Sequence, residues 1–373
     1  MRIAVDVRRI RDFGVGTYIR NLLHALARVS DDHEYCLICS PEDSVLLADL
    51  PPTFRPITYR RRDSSLWDHI ELPGLLRRLG AAITHIPFHR VPLPMPRPYV
   101  VTVHDLGSLF FDDAAGVHHA AREYRLKRGL LRASRIIAVS GATQRDVSNL
   151  VPEVSGKIRL IYNAPDPQFL ERRDSSDDRS RILERYQIRY PFLLYAGSIR
   201  PQKNIPRLIE AFAVARSSLE QYPAWKDLRL IIIGDEISRH PNVRRAVIHS
   251  RVENCVRFLG FIPFDTLRIF YEQAQAFVFP SLYEGFGLGP LEAMASGTPV
   301  ISSAAASLPE VVGGAAMLVN PENVFDISRG IIEVLTNDAL RQDMVLKGRR
   351  QAASFSWNRT AREVLEVYKA AAR

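Results

Sequence analysis

The sequence predicts an α/β protein of two doubly wound, Rossmann-like domains facing each other across a cleft, and three observations carry the prediction. The chain has 373 residues, more than one compact core of ordinary size holds and enough for two domains of about 100 to 200 residues each. Short runs rich in Val and Ile alternate with helix-like segments from end to end, the pattern of βαβ units and parallel sheets. That alternation breaks between Asp166 and Arg189, where Glu171 to Ser180 is charged and rich in serine, the composition of an exposed linker.

The elements follow in order. Strands are expected at Arg2 to Val7, Glu34 to Cys39, Phe54 to Tyr59, Ala82 to Ile86, Tyr99 to His104, Arg135 to Val139 and Lys157 to Tyr162. Each is a short, mostly apolar run, as strands buried on both faces are. The first domain is therefore placed at residues 1–165 and the boundary region at 166–190. A second series, Pro191 to Ala196, Leu228 to Ile233, Cys255 to Phe258, Ala276 to Phe279, Pro299 to Ser302 and Ala315 to Leu318, makes a second domain over 191–355. Residues 356–373 hold a last helix, Trp357 to Ala372, able to pack on either domain, the first included. Open α/β sheets bind ligands beyond the carboxyl ends of their strands, so the cleft is the expected site.

Composition narrows the function classes. With 46% hydrophobic and 24% charged residues, the chain has enough apolar material for a large core and is not disordered. No apolar run approaches the roughly 20 residues that span a bilayer. Met1 to Ile10 is interrupted by Arg2, Asp6, Arg8 and Arg9, unlike a signal peptide. A cytoplasmic protein is expected, with peripheral contact at the inner face of the cell membrane left open. Cys36, Cys39 and Cys255 lack the partners of a zinc site and are read as buried thiols. Cys36 and Cys39 form a C-x-x-C, but inside a strand-like stretch rather than at a helix start, where redox motifs gain thiolate stability.

The net charge is +9, with 23 basic against 17 acidic residues up to Pro165 and 27 against 24 beyond it. The cluster Arg60, Arg61, Arg62 and the row Arg122, Arg125, Arg128, Arg132 have two readings: solvated surface, or a hold on anionic lipid headgroups or phosphorylated acceptors. No nucleic-acid-binding motif accompanies the charge, and no nucleic-acid partner is expected.

The sharpest local signal runs from Phe279 to Ala293. A buried strand enters a glycine-rich turn (Gly285, Gly287, Gly289), and the turn enters a helix with Pro290 near its start, where proline is tolerated. Glycines let backbone approach a ligand, and free N–H groups with the helix dipole favour phosphate. Glu284 and Glu292 flank the turn. A carboxylate would repel diphosphate, so their expected task is to accept hydrogen bonds from sugar and ribose hydroxyls while backbone amides take the phosphates.

Glu284 to Glu292 resembles the E-x7-E motif of retaining glycosyltransferases of family 4, and Met294 to Val300 resembles that family's continuation. The resemblance covers most of the chain. Tyr195 to Asn204, with Gly197, Ser198, Arg200 and Lys203, is similar to the family's phosphate-binding loop, which carries a lysine and often an arginine directly after the glycine. Here Ser198 takes that place, and Arg200 is read either as its replacement or as an exposed side chain. Leu308 to Val311 also fits the family pattern, Gly14-Val15-Gly16-Thr17-Tyr18 resembles its glycine-rich loop, and Val103-His104-Asp105 its histidine-bearing strand end.

Each piece also has a plainer reading. His104 and Asp105 read equally as a core histidine and a helix cap, and Gly14 and Gly16 as an ordinary turn without the third glycine of a dinucleotide fingerprint. The resemblance implies the GT-B fold, a donor held mainly by the second domain, an acceptor held mainly by the first, and retention at the anomeric carbon without a protein nucleophile. It implies catalytic roles for His104, Glu284, Arg200 and Lys203. Donor contacts are implied at Gly16, Gly197, Ser198, Phe258, Leu259, Gly285, Phe286, Gly287, Leu288 and Glu292, and acceptor-side contacts at Gly14, Thr17, Tyr18 and Asp105.

The nucleotide base is expected at the strand end Val256 to Leu259, read through backbone groups. The loop wording is similar to mannosyltransferases of polysaccharide and lipopolysaccharide assembly, which points to GDP-mannose, with UDP-glucose or another donor open. No D-x-D occurs in the chain, so transfer without a divalent cation and without a cofactor is expected, Lys203, Arg200 and the helix start at Gly287 neutralising the diphosphate. Two rivals stand beside this reading: a dinucleotide-dependent oxidoreductase, and a non-catalytic nucleotide- or glycan-binding relative.

Overall fold

A computed structural model of the chain describes residues 1–372 except 30, 31, 64, 93, 112–116 and 172–175. Residues up to Ala164, together with those from Ser356 onward, form one compact unit, and Pro165–Phe355 form a second.

The first unit contains β1 (Arg2–Asp6), α1 (Val15–Val29), β2 (Glu34–Cys39), β3 (Phe54–Thr58), α2 (Asp68–Leu79), β4 (Ile83–Ile86), β5 (Tyr99–Val103), α3 (Gly107–Phe110), α4 (Val117–Arg132), β6 (Arg135–Ala138), α5 (Gly141–Leu150) and β7 (Ile158–Leu160). The strands make one seven-stranded sheet in the order β3-β2-β1-β4-β5-β6-β7, parallel at every pairing. β5 is buried at all five positions, which is why its sequence is a plain apolar run. Helix entries are set by local chemistry: Ser140 precedes α5 and its hydroxyl accepts the Thr143 N–H at 2.9 Å, satisfying one of the donors a helix start leaves open.

The second unit contains α6 (Pro167–Leu170), α7 (Ser176–Arg185), β8 (Phe192–Gly197), α8 (Ile205–Leu219), β9 (Arg229–Gly234), α9 (Pro241–His249), β10 (Val256–Gly260), α10 (Phe264–Gln273), β11 (Ala276–Phe279), α11 (Leu288–Ala295), β12 (Val300–Ser303), α12 (Leu308–Val312), β13 (Met317–Val319), α13 (Val324–Thr336) and α14 (Asp338–Ala353). Its six parallel strands lie in the order β10-β9-β8-β11-β12-β13. Both sheets reverse direction of growth once, between β1 and β4 and between β8 and β11, and such reversals open the crevice where doubly wound sheets take ligands.

Three sequence readings change. Residues 166–190 count with the second unit instead of standing apart. α7 lies within them, Phe169 packs on Tyr271 at 5.4 Å, Arg268 donates to the Glu171 carbonyl at 2.9 Å, and Arg257 donates to the Tyr186 carbonyl at 2.8 Å. The charged composition that suggested a linker is that of a helix holding the domain by few apolar contacts; residues 172–175 of the stretch lie outside the described residues. The expected strand at Ala315 begins later, at Met317, because Gly313–Ala315 makes a 3-10 turn. Cys36 and Cys39 are buried, but Cys255 is only half-buried, standing just before an edge strand. The pair sits three residues apart in β2, so the two side chains leave opposite faces. Among the described residues no helix is long and apolar enough to cross a membrane.

The C-terminal helix α15 (Trp357–Ala372) packs against α1, β4 and β5 of the first unit. A buried polar chain fastens it there. Tyr368 OH meets His85 Nδ1 at 2.6 Å, His85 Nε2 meets Thr102 Oγ1 at 2.8 Å, and Thr102 Oγ1 meets Tyr18 OH at 3.2 Å. Burial, with the field of His104, pushes the His85 pKa down to about 3, so the ring is neutral and each nitrogen needs one partner. Tyr368→Phe should leave Nδ1 unmatched and lower the stability of the first unit by about 1 to 3 kcal/mol, read by native-state hydrogen exchange at β4 and β5. Unchanged protection there would show that the chain holds nothing together.

Candidate functional site

In the second unit, two loops leave the neighbouring central strands β8 and β11 at the point of reversal. The first begins at Gly197, where φ is +152°, and its carbonyl approaches Gly234 so closely that a Cβ there would lie 1.9 Å from the oxygen. Only glycine fits such an approach. Tyr195 OH donates to the Ser198 carbonyl at 2.9 Å, and the Ile199 N–H donates to Asp235 Oδ2 at 2.8 Å. The chain then passes exposed Arg200, makes a 3-10 turn over Pro201–Lys203, and reaches buried Asn204 at φ 61°, a left-handed conformation that asparagine tolerates.

The second loop is bolted to the first. The Leu282 N–H donates to the Gln202 carbonyl at 2.8 Å, and Asn204 Nδ2 donates to the carbonyls of Pro280 at 3.1 Å and Pro321 at 2.6 Å. Lys203 Nζ forms an ion pair with Glu284 Oε1 and stands over the Phe279 ring at 5.5 Å. Ser281 Oγ donates to the same carboxylate oxygen at 2.8 Å. Glu284 Oε2 therefore has no protein partner among the described residues and keeps its capacity to accept.

Beyond Glu284 the Ser307 hydroxyl lies 2.9 Å from the Glu284 carbonyl and 2.8 Å from that of Phe286. Gly285, Phe286 and Gly287 are buried. Gly287 takes φ +111°, and a Cβ there would come within 2.7 Å of Leu308 Cδ2. α11 starts at Leu288 with no side chain capping it, so its first N–H groups are presented uncapped. Glu292 lies inside α11, and its Oε2 accepts from Tyr271 OH at 3.2 Å. Burial, reinforced by the charge of Asp166 and opposed by the Tyr271 hydrogen bond, raises the Glu292 pKa to about 7. It changes charge near neutrality.

At the sheet edge, β10 shifts register against β9 between Phe258 and Gly260. Leu259 occupies the irregularity, so its backbone groups fall out of the ladder. Phe258 and Leu259 are both half-buried.

In the first unit, the sequence-selected residues sit at the start of α1 and just after the end of β5. Gly14 has φ +68° and open space around it, whereas a Cβ on buried Gly16 would lie 2.4 Å from the Ile10 carbonyl oxygen. Thr17 Oγ1 accepts from Arg20 at 3.3 Å. Tyr18 is buried with its ring edge-on to His104, centroids 4.8 Å apart. His104 Nε2 is 3.0 Å from the Pro87 carbonyl; a carbonyl only accepts, so Nε2 carries the proton and Nδ1 keeps a lone pair. Burial is the main cause that lowers the His104 pKa to about 4, against the Pro87 carbonyl and Asp105. Asp105 Oδ1 accepts the Gly107 N–H at 2.8 Å, one position before the Leu106 cap of α3, which itself has no side-chain capping bond.

The fold thus gathers Gly197, Ser198 and Lys203 with Glu284 to Leu288, and Tyr18 with His104. Arg200 does not join them: it is exposed and enters no ion pair with described residues. Sequence reading included Asn204 and Ser281 in its motifs without giving them a role, and missed Asp235, Tyr271 and Ser307. Ser281 left a local signal, a hydroxyl three positions before a glutamate at a strand end.

Comparisons with known proteins bear on the family and the fold. The family described as Glycosyltransferase Family 4 matches residues 14–169, and Glycosyl transferases group 1 matches residues 178–351. The chain is 32% identical over 298 residues to O-antigen chain mannosyltransferase B of Escherichia coli, covering 79% of this chain and 76% of that protein. It is also 32% identical over 238 residues to the serotype-specific mannosyltransferase WbdA of Escherichia coli, covering 64% of this chain and only 29% of that longer protein. The crystal structure of Anabaena Alr3699/HepE in complex with UDP-glucose superposes with a TM-score of 0.76 at 18% identity over 98% of each chain, which establishes the GT-B fold. With a relative at this identity spanned over three quarters of its length, and with both halves matched by the corresponding family, the chain belongs to family 4 of the retaining glycosyltransferases.

Proposed function

We propose that the chain transfers a hexose, mannose from GDP-mannose, with retention and without a divalent cation, to a glycan or lipid-linked acceptor of polysaccharide or glycolipid synthesis. The observation that carries this reading is the ion pair between Lys203 and Glu284 beside the uncapped start of α11. An ammonium has three donors. One is committed to Glu284, which leaves two for diphosphate oxygens, while Glu284 Oε2 accepts from a sugar hydroxyl.

The remaining roles follow from position. Backbone at Gly197, Ser198, Gly285, Phe286, Gly287 and Leu288 approaches the donor, Glu292 accepts from a ribose hydroxyl, and the irregular strand end at Phe258 and Leu259 reads the base. Arg200, exposed and unpaired, swings to the diphosphate when the donor is present. Neutral His104 offers Nδ1 to a hydroxyl of the transferred sugar, with Gly16 keeping backbone close to the donor. Gly14, Thr17, Tyr18 and Asp105 shape the acceptor side. The acceptor attacks from the face the diphosphate leaves, with a phosphate oxygen taking its proton. Lys203 and the α11 amides stabilise the charge that develops on the leaving group. Mannose is supported by the relatives named as mannosyltransferases. A lipid-linked acceptor brings with it peripheral contact with an anionic leaflet.

Thermal shift against a panel of nucleotide sugars tests the donor. GDP-mannose at 100 times its dissociation constant should stabilise by about 2.7 kcal/mol, and a response to UDP-glucose alone would reverse the assignment. Glu284→Gln should fold normally and lose roughly 10- to 100-fold in transfer, the worth of a hydrogen bond to a charged group; wild-type turnover would remove Glu284 from the site. Activity should persist in EDTA, and a complete, Mg²⁺-reversible loss would overturn cation-independent transfer.

Glu292 gives a pH-dependent test. The folded state holds its proton more tightly than the unfolded chain, so its contribution to stability is full below about pH 4.3 and is lost as pH rises through about 7. Glu292→Gln should therefore match wild type near pH 4, begin to exceed it near pH 5, and exceed it by about 3 kcal/mol at pH 8, while transfer falls. Gained stability with lost activity marks a functional residue. Equal stability at both ends of that range would refute it.

A further inference from the structure

The first unit carries an apolar patch that no packing among the described residues covers. Leu66, Trp67 and Ile70 are 79%, 60% and 67% exposed within five consecutive residues at the start of α2. At about 100° per residue, Trp67, Ile70, Gly74, Arg77 and Arg78 fall on one arc, opposite buried Leu72 and Leu76. Gly74 adds no side chain, so the arc has an apolar end and a basic end. Arg60, Arg61 and Arg62 precede it and are exposed. Arg61 grips Glu71 through two nitrogens at 3.0 to 3.1 Å, whereas Arg60, Arg62, Arg77 and Arg78 have no acidic partner among the described residues.

The patch is held in this exposed position. Arg8, 5% exposed, pairs with Asp6 at 2.6 Å and with Asp68 at 2.7 Å and also donates to the Arg61 carbonyl at 3.1 Å. Tyr59 OH donates to Asp68 at 2.9 Å. The start of α2 and the arginine cluster are thereby fixed to the end of β1, and the three apolar side chains cannot turn inward without breaking a buried ionic group.

We propose that this face of α2 seats on an anionic lipid surface, with Leu66, Trp67 and Ile70 entering the interfacial layer and the four unpaired arginines holding lipid phosphates. An aromatic and aliphatic tip flanked by arginine is the chemistry of helices that lie in a membrane interface. A second copy of the chain fits poorly, because a two-fold contact would set the same unpaired arginines against one another. The proposal deepens the peripheral contact that follows from a lipid-linked acceptor, and it moves that contact from charge alone to charge with an apolar anchor. It also moves it away from the Arg122 row on α4, where Arg122 is spent on the Ser108 carbonyl.

Sedimentation with vesicles of phosphatidylglycerol and phosphatidylcholine, against phosphatidylcholine alone, tests it on the full chain. The protein should pellet with the anionic vesicles, and brominated lipid should quench Trp67. The chain has three tryptophans, and Trp357 is 5% exposed, so loss of quenching in Trp67→Phe identifies the inserted ring. Trp67→Ser with Ile70→Ser should weaken binding at least roughly tenfold, the worth of one buried large side chain, and Arg77→Glu with Arg78→Glu should do so in a salt-sensitive way. Donor turnover in solution, measured on the same samples, reads the transfer activity separately. Binding that survives all four substitutions and is abolished by Arg125→Glu with Arg128→Glu would overturn the proposal. So would absence of vesicle binding, vesicle binding without Trp67 quenching, or a change of oligomeric state in Trp67→Ser.

Discussion

The ion pair between Lys203 and Glu284 is the constraint on which the candidate site depends. The two residues are 81 positions apart in sequence, on loops that leave adjacent strands, and their side chains are only 17% and 12% exposed. A pair so shielded forfeits much of its hydration, and that loss can exceed the Coulomb attraction. Its value is one of position. With Lys203 on one oxygen of Glu284, the other oxygen has a fixed direction, and the two loops cannot part without exposing the backbone bonds of Gln202 and Asn204.

How much of this was legible follows from what each element leaves in the sequence. Central parallel strands such as β5 and β11, buried on both faces, must be apolar runs; these and the more exposed edge strands β3 and β7 could be read within a few residues of their ends. The turn at Gly287 was legible for a similar reason, since backbone at φ +111° against Leu308 excludes other residues. What escaped reading was contact over distance. Tyr271 reaches Glu292 from another helix, 21 positions earlier, and Tyr368 reaches His85 across 283; neither has a local pattern. The charged stretch after Glu171 misled because an amphipathic surface helix and a linker share composition when the helix buries little.

The two units solve opposite electrostatic problems with the same fold. In the second, charges are gathered at the strand ends and balanced one against another, with Glu292 left near its midpoint at neutral pH by burial. In the first, the corresponding strand end carries a histidine that burial keeps neutral, its proton committed to the Pro87 carbonyl. A neutral ring with one lone pair can order a hydroxyl without adding charge. At the end of β5 the first unit thus sets a neutral ring, and keeps its buried ionic group apart from it, around Arg8 at the end of β1.

That neutrality depends on packing that reaches the C-terminus. His104 is edge-on to Tyr18, Tyr18 is edge-on to Trp357 at 5.8 Å, and Tyr18 OH ends the polar chain that runs through Thr102 and His85 to Tyr368. Every group in that chain can both donate and accept, except that a neutral imidazole must do one at each nitrogen. One choice of proton direction at His85 consequently fixes the hydroxyl orientations on both sides. The helix that closes the sequence is thus part of what holds the glycine-rich loop and His104 in register, although it contributes no residue to the candidate site itself.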